Sequence, residues 1–297
     1  MATDSDESRF LKVDASGNER FSYGQLRAVR FLTPSRGVRI DTEVSPAADD
    51  LVAMAAFGAV DRAVVADVAA ASVWGLPLPP WLAPTPNRPV SLAVPAGTSE
   101  PQRRGVRGRR LRLPEEHLTT HDGLIITTPA RTWLDCAAVV PAEYVVAMGD
   151  DGLRRGLMTQ MEMKRLLHWG FRRRGVGVAR RAFPLLDPAS ASPGESLVRA
   201  HLLHEGVPRP ECNVDIVVDG EWLGRGDIAW RQRRVVLEYD GLVHLDESQR
   251  RRDAQRRNLI QQRGWIVITA TADDLRKPWV VAGQVMDALR ARGWRPD

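Results

Sequence analysis

The chain has 297 residues, 43% of them hydrophobic and 27% charged, with 42 Lys and Arg against 37 Asp and Glu. That length allows two domains with substantial cores, and the composition reads as globular and not disordered. The net charge of +5 permits an anionic partner, and nearly all the positive charge is arginine, because lysine occurs only at Lys12, Lys164 and Lys277. The two cysteines, Cys136 and Cys212, lack any CxxC spacing, so reduced thiols are expected and a disulfide framework or cysteine zinc site is not. The apolar stretch 51–76 is broken by Asp61, Arg62 and Asp67, too short a run for a membrane helix. The acidic start MATDSDESRF has no secretory core, so a cytoplasmic protein is expected.

In chain order, residues 1–9 read as a frayed polar tail, FSYGQLRAVRFL as a short helix, and SRGVRI as a strand. The alanine-rich stretch 51–74 has helical period and ends at Gly75 and Pro77. Six prolines within 77–89 demand an extended connection. PVSLAVP and VRGRRLRLP read as strands, with a basic loop over 103–110, and GLIITT as a third. Pro129 suits the first turn of a helix with Thr128 as N-cap, and helices are expected to about Pro184. After a loop over 187–193 come the helix SLVRAHLLHEG, a hairpin turning at Asp219-Gly220, the strand RVVLEYDG, an arginine-rich helix over 247–263, the strand WIVITA and a helix over 280–292.

Chemistry concentrates in carboxylates at strand ends. Asp227 opens one strand, and Glu238 and Asp240, two apart and so on one face, close the next. If those strands pair antiparallel, Asp227 approaches Glu238, and the converging charges need a cation. Hard oxygen ligands suit Mg²⁺ or Mn²⁺, which can polarise a phosphate and activate water. Solvated turn acids are the alternative, with Asp240-Gly241 an ordinary turn. The helix that follows offers Gln249, Arg252 and Arg256, with Arg252 and Arg256 on one face, as a phosphate clamp or as a solvated salt-bridged face. Arg103, Arg104, Arg107, Arg109 and Arg110 form the densest basic segment, a backbone-phosphate site or a surface loop. Trp74, Trp81 and Trp133 read as packing residues.

GRGDIAW, RRVVLEYDGLVHL and RRDAQRRNLIQQRGWIVITATADDL resemble the PD-(D/E)XK nuclease superfamily, nearest its branch related to very-short-patch mismatch-repair endonucleases. WGLPLP, VSLAVPAG and TTPARTWLDCA resemble AbiEi-type antitoxins. The first resemblance implies Asp227 as metal ligand, Glu238 as its acidic partner, and Glu195 as the helical glutamate completing the site. Ser192-Pro193-Gly194-Glu195 also reads as a capping box. Asp240 stands where the superfamily has lysine, and this branch usually carries such an aspartate with a following glycine and histidine, here Gly241 and His244. Asp240 would then be a further ligand and His244, ordinarily titrating near pH 6.5, the general base, with a loop-packed histidine as the alternative.

The expected architecture is α/β (mixed α+β). It consists of a small winged-helix-like AbiEi-like module over 10–125, a helical connector over 126–187 and a restriction-endonuclease-like domain over 188–297, its mixed sheet flanked by helices. The favoured reading is a Mg²⁺- or Mn²⁺-dependent endonuclease acting on DNA in preference to RNA, in a defence, toxin–antitoxin or repair setting, with a protein partner or homodimer allowed. The alternatives are a non-catalytic DNA-binding antitoxin-like regulator that keeps the nuclease fold, and an RNA-cleaving toxin.

Overall fold

The computed structural model describes residues 10–12, 31–32, 38–41, 52, 63–85, 88–100, 102–103, 105–241 and 247–295. The fold is mixed α+β. In chain order the elements are β1 (Phe10–Lys12), β2 (Phe31–Leu32), β3 (Val38–Asp41), β4 (Val64–Val65), α1 (Asp67–Val73), β5 (Val90–Pro95), β6 (Gln102–Arg103), β7 (Val106–Leu111), β8 (Leu118–His121), β9 (Leu124–Thr127) and α2 (Pro129–Cys136). They continue with α3 (Ala142–Arg154), α4 (Gln160–Trp169), α5 (Val176–Ala182), α6 (Pro193–His204), β10 (Glu211–Val218), β11 (Glu221–Trp230), β12 (Val235–Asp240), α7 (Glu247–Gln262), β13 (Ile266–Thr271) and α8 (Pro278–Ala291). Two compact units result, Met1–Val140 with Met161–Gly175 and Pro141–Gln160 with Val176–Asp297. The segment 126–187, expected as one connector, is thus shared between them.

In the first unit, six strands form a mixed sheet in the order β6-β7-β5-β4-β9-β8, and β1, β3 and β2 form a separate antiparallel sheet. Val65, Ala69, Ala70, Leu92 and Ile126 make the core beneath the larger sheet. The alanine-rich stretch is not one helix. Val52 is helical, but Val64 and Val65 pair with Ala93 and Leu92 at the centre of the sheet, and Asp67–Val73 is a separate helix after them. Branched side chains suit a buried pleat better than a helix. Phe31 and Leu32, expected to end a helix, pair as a strand with Ile40 and Asp41. Arg107, Arg109 and Arg110 are not in a loop either: they lie on β7, which runs parallel to β5 and antiparallel to β6. Thr128 does sit at the N-cap of α2, but its side chain makes no capping bond.

In the second unit the sheet order is β10-β11-β12-β13, antiparallel except for the parallel pair β12 and β13. Asp219 and Gly220 both have positive φ, 53° and 82°, the backbone a type I′ hairpin requires. The sheet buries both faces. Val198, Leu202, Ile228, Leu237, Val281 and Val285 pack on the side of α6 and α8. Val214, Ile216, Ala229, Val236 and Ile260 pack on the side of α7. Strand alternation alone assigns these two sets to opposite faces.

Candidate functional site

Ile228 pairs with Leu237 across β11 and β12, which makes Asp227 and Glu238 the next residues along the two strands. The Asp227 carboxylate accepts the Tyr239 amide at 2.8 Å. Burial pushes its pKa above the ordinary carboxylate value, against the Tyr239 bond and the charge of Arg256. Glu238 is only 7% exposed, and burial raises it too, with Arg256 opposing and Asp227 adding to the rise. Glu195, 8% exposed at the start of α6, is raised by burial, and its neighbours include Asp227. Three acids therefore share one end of the sheet. The capping box also forms: Ser192 Oγ accepts the Glu195 amide at 3.2 Å, and Glu195 Oε2 accepts that of Ala191 at 2.9 Å. Gly194 is needed where it stands, since a Cβ there would lie 2.1 Å from the Tyr239 ring.

Arg256 on α7 crosses to this cluster. Its Nη2 lies 2.9 Å from Glu238 Oε1, an ion pair, although that oxygen has no aligned hydrogen-bond donor. Nη1 donates to Arg225 O at 2.7 Å. The aliphatic stem passes over Gly224, where a Cβ would come within 2.9 Å of Arg256 Cδ. Arg252 and Asp240 are exposed. His244 and the side chain of Gln249 lie outside the described residues. The oxygen donors suit Mg²⁺ or Mn²⁺ by chemistry. Among the described residues, however, no three acidic, histidine or cysteine side chains are grouped to hold an ion. A guanidinium supplies the positive charge beside Glu238.

In the first unit, a cleft of about 560 Å³ is lined by Arg88, Arg107, Arg109, Arg110 and Arg174, with Asp67, Ser91 and Glu100 as its other polar side chains. Asp67 is 3% exposed and has φ +54°, a left-handed backbone that aspartate tolerates better than most residues. Its Oδ2 is ion-paired to Arg109 and 3.5 Å from Ser91 Oγ. Burial raises the Asp67 pKa, with Arg109 the main opposing influence. Arg110 lies 3.6 Å from Glu100. Arg107 and Arg174 are exposed and have no ion-pair partner among the described residues. Arg104 and the side chain of Arg103 lie outside the described residues. Sequence reasoning found the β7 arginines but missed Asp67, Ser91, Arg88 and Arg174. The one available signal was Asp67 itself, a charge inside an apolar run.

The TTPARTWLDCA segment is structural. Fully buried Arg131 bonds Asp135 at 2.8 Å, His117 at 2.9 Å and Arg112 O at 3.1 Å, and its guanidinium lies 4.6 Å from the Trp169 ring centre. Arg173 adds a second cation, 4.7 Å from that ring and 3.3 Å from Asp135. Trp133 is fully buried and Trp74 donates to Thr127 O at 2.9 Å, whereas Trp81 is 59% exposed and so not the packing residue expected. Both thiols are free; burial pushes Cys136 well up and Cys212 to about 12, so neither ionises near neutrality. No helix among the described residues is long and apolar enough to cross a membrane.

Residues 79–187 match the AbiEi antitoxin C-terminal domain. Two curated proteins of Mycobacterium tuberculosis, one from strain CDC 1551 and one from H37Rv, both carrying the name uncharacterized protein, are each 30% identical over 173 residues. Those alignments cover 57% of this chain and 64% of each relative, so the chain spans just under two thirds of their length. No solved structure matches.

Proposed function

We propose that this chain is a nucleic-acid-binding, antitoxin-like regulator that grips DNA by its phosphates. The observation that carries the reading is the row of arginines on β7, inside the segment similar to an antitoxin domain. Arg107 and Arg110 are exposed there, and guanidinium groups bind phosphate oxygens in paired geometry. Such contacts release counterions, so affinity falls steeply with salt and depends little on base sequence. A toxin protein as second partner belongs to the same reading. The experiment is fluorescence anisotropy of the full chain on duplex DNA across a salt series. Arg107→Ala and Arg110→Ala should each weaken binding on every sequence and lower the slope of log K against log salt by about one. An unchanged slope in the double variant rejects the reading.

The neighbouring acids Asp227, Glu238 and Glu195 favour a second reading, a divalent-metal-dependent nuclease acting on DNA or RNA. Asp227 and Glu238 would hold Mg²⁺ or Mn²⁺, with Glu195 and Asp240 assisting and His244 as base. When bound, the ion supplies charge to polarise a phosphate and acidify water. Arg256 must turn away from Glu238 for this to happen, and Arg252, exposed on the same helix, is the other candidate for a phosphate clamp. Cleavage of plasmid, single-stranded DNA and structured RNA with Mg²⁺, Mn²⁺ or EDTA tests it. Metal-dependent cutting lost in Asp227→Ala supports it; wild type and variant behaving alike in every condition reject it.

A further inference from the structure

The cleft of the first unit has a shape and a polarity that phosphate gripping alone leaves unused. A duplex backbone is a convex ridge and needs an exposed row of cations, whereas a volume of about 560 Å³ falls in the range of small-ligand sites. The cleft also contains a carboxylate that an all-anionic ligand would repel. Asp67 is 97% buried by its 3% exposure, and both of its contacts fall on Oδ2, so Oδ1 has no hydrogen bond among the described residues. Placing a charged side chain there, on left-handed backbone, carries a cost in both desolvation and conformation. Ser91 Oγ, beside it, adds a group able to donate or accept.

A ligand that satisfies both halves bears phosphate at one end and hydrogen-bond donors at the other. We infer that the cleft is a ribonucleotide site, with the phosphate on Arg107, Arg110 and Arg174 and the sugar hydroxyls donating to Asp67. Arg109, paired to Asp67, sets the direction of that carboxylate and is a positioning residue. A guanidinium fork suits the phosphate, and an ionised acceptor is the strong partner for a hydroxyl. A free nucleotide and the diol-bearing end of an RNA strand offer the same chemistry.

The test is isothermal titration calorimetry of the full chain with ATP, 2′,3′-dideoxy-ATP, pyrophosphate and a short RNA ending in a 2′,3′-diol. ATP or the RNA should bind, and whichever does names the source. Loss of both sugar hydroxyls should weaken ATP by about tenfold or more, the share of a charged hydrogen bond. Asp67→Asn, which keeps the shape and tolerates the same backbone, should remove that discrimination and, with the repelling charge gone, leave pyrophosphate bound at least as tightly as in wild type. Arg107→Glu with Arg174→Glu should weaken every phosphate-bearing ligand. Pyrophosphate bound as tightly as ATP, with Asp67→Asn indifferent, would show a general anion patch and overturn the inference, as would no binding at millimolar ligand. Duplex affinity measured on the same samples separates the two claims. DNA binding without ribonucleotide binding defeats this inference alone, and the reverse defeats the regulator alone.

Discussion

Two aspartates buried beside arginine, Asp150 in the second unit and Asp67 in the first, differ in how completely their pairs are closed. Asp150 and Arg199 in the second unit are each 1% exposed, with Oδ2 and Nη2 2.6 Å apart. Asp150 Oδ1 accepts the Asp187 amide at 2.7 Å and Arg199 Nη1 donates to Leu185 O at 2.6 Å, leaving only Arg199 Nε without an acceptor. In the first unit Asp67 is just as buried, but the Arg109 side chain is 33% exposed and the pair opens on the arginine cleft. A closed pair fixes helix against helix, joining α3 to α6. An open one keeps bonding capacity in reserve, at a cost the fold meets elsewhere. Burial of a charge therefore says little about its purpose until the remaining lone pairs and protons are followed.

Removing one partner sharpens the contrast most. Arg199→Leu should strand the Asp150 charge and destabilise the fold by about 3–5 kcal/mol in denaturant unfolding. Arg109→Leu leaves Asp67 reachable by water through the cleft, and should cost about 1 kcal/mol or less. Equal losses would erase the distinction between the two pairs. The carboxylates of β11 and β12 give an intermediate case. A raised carboxyl pKa means the folded state holds its proton more firmly, so the contribution to stability is full below pH 3.8 and falls as pH climbs through the raised value. Asp227→Asn should therefore stabilise the protein at pH 7 by about 1 kcal/mol, roughly 2–4 °C in Tm, with the gain vanishing on acidification toward pH 3.8. A destabilised Asn variant would make Asp227 a structural residue like Asp150. The smallest effect is expected at Arg290, exposed and 3.0 Å from Asp287, where Arg290→Ala should change stability by at most about 0.5 kcal/mol.

Much of the second unit was legible in the sequence, because its signals are local and agree with one another. Ser192, Pro193 and Glu195 mark a helix start, Asp219-Gly220 a hairpin, and the apolar run of β12 a strand buried on both faces. The first unit was read less well. Val64 and Val65 lie in an alanine-rich segment of helical period, and only their partners on β5 and β9, tens of residues away, make them a strand. The site followed the same division. Asp227 and Glu238 were recoverable from strand spacing, and the β7 arginines from their density. Asp67, Arg88 with Ser91, and Arg174 come from three separate segments whose convergence depends on pairing that no local pattern encodes. Arg256 was found as a cation on a helix face, but its engagement with Glu238 required the crossing of α7 over Gly224.

The chain leaves the first unit at Val140, spends residues 141–160 in the second, and comes back for Met161–Gly175 before departing for good. On the ribosome, the arginine–tryptophan network around Asp135 must therefore wait for Trp169 and Arg173 to emerge, well after its other members. Helix α3 waits longer still, since Asp150 finds Arg199 only after α6 has been made. No single cut yields two whole pieces. A gene split at any one codon between 140 and 176 leaves one half without a segment it owns, and a dissection that respects the fold has to bridge 140 to 161 with a new linker.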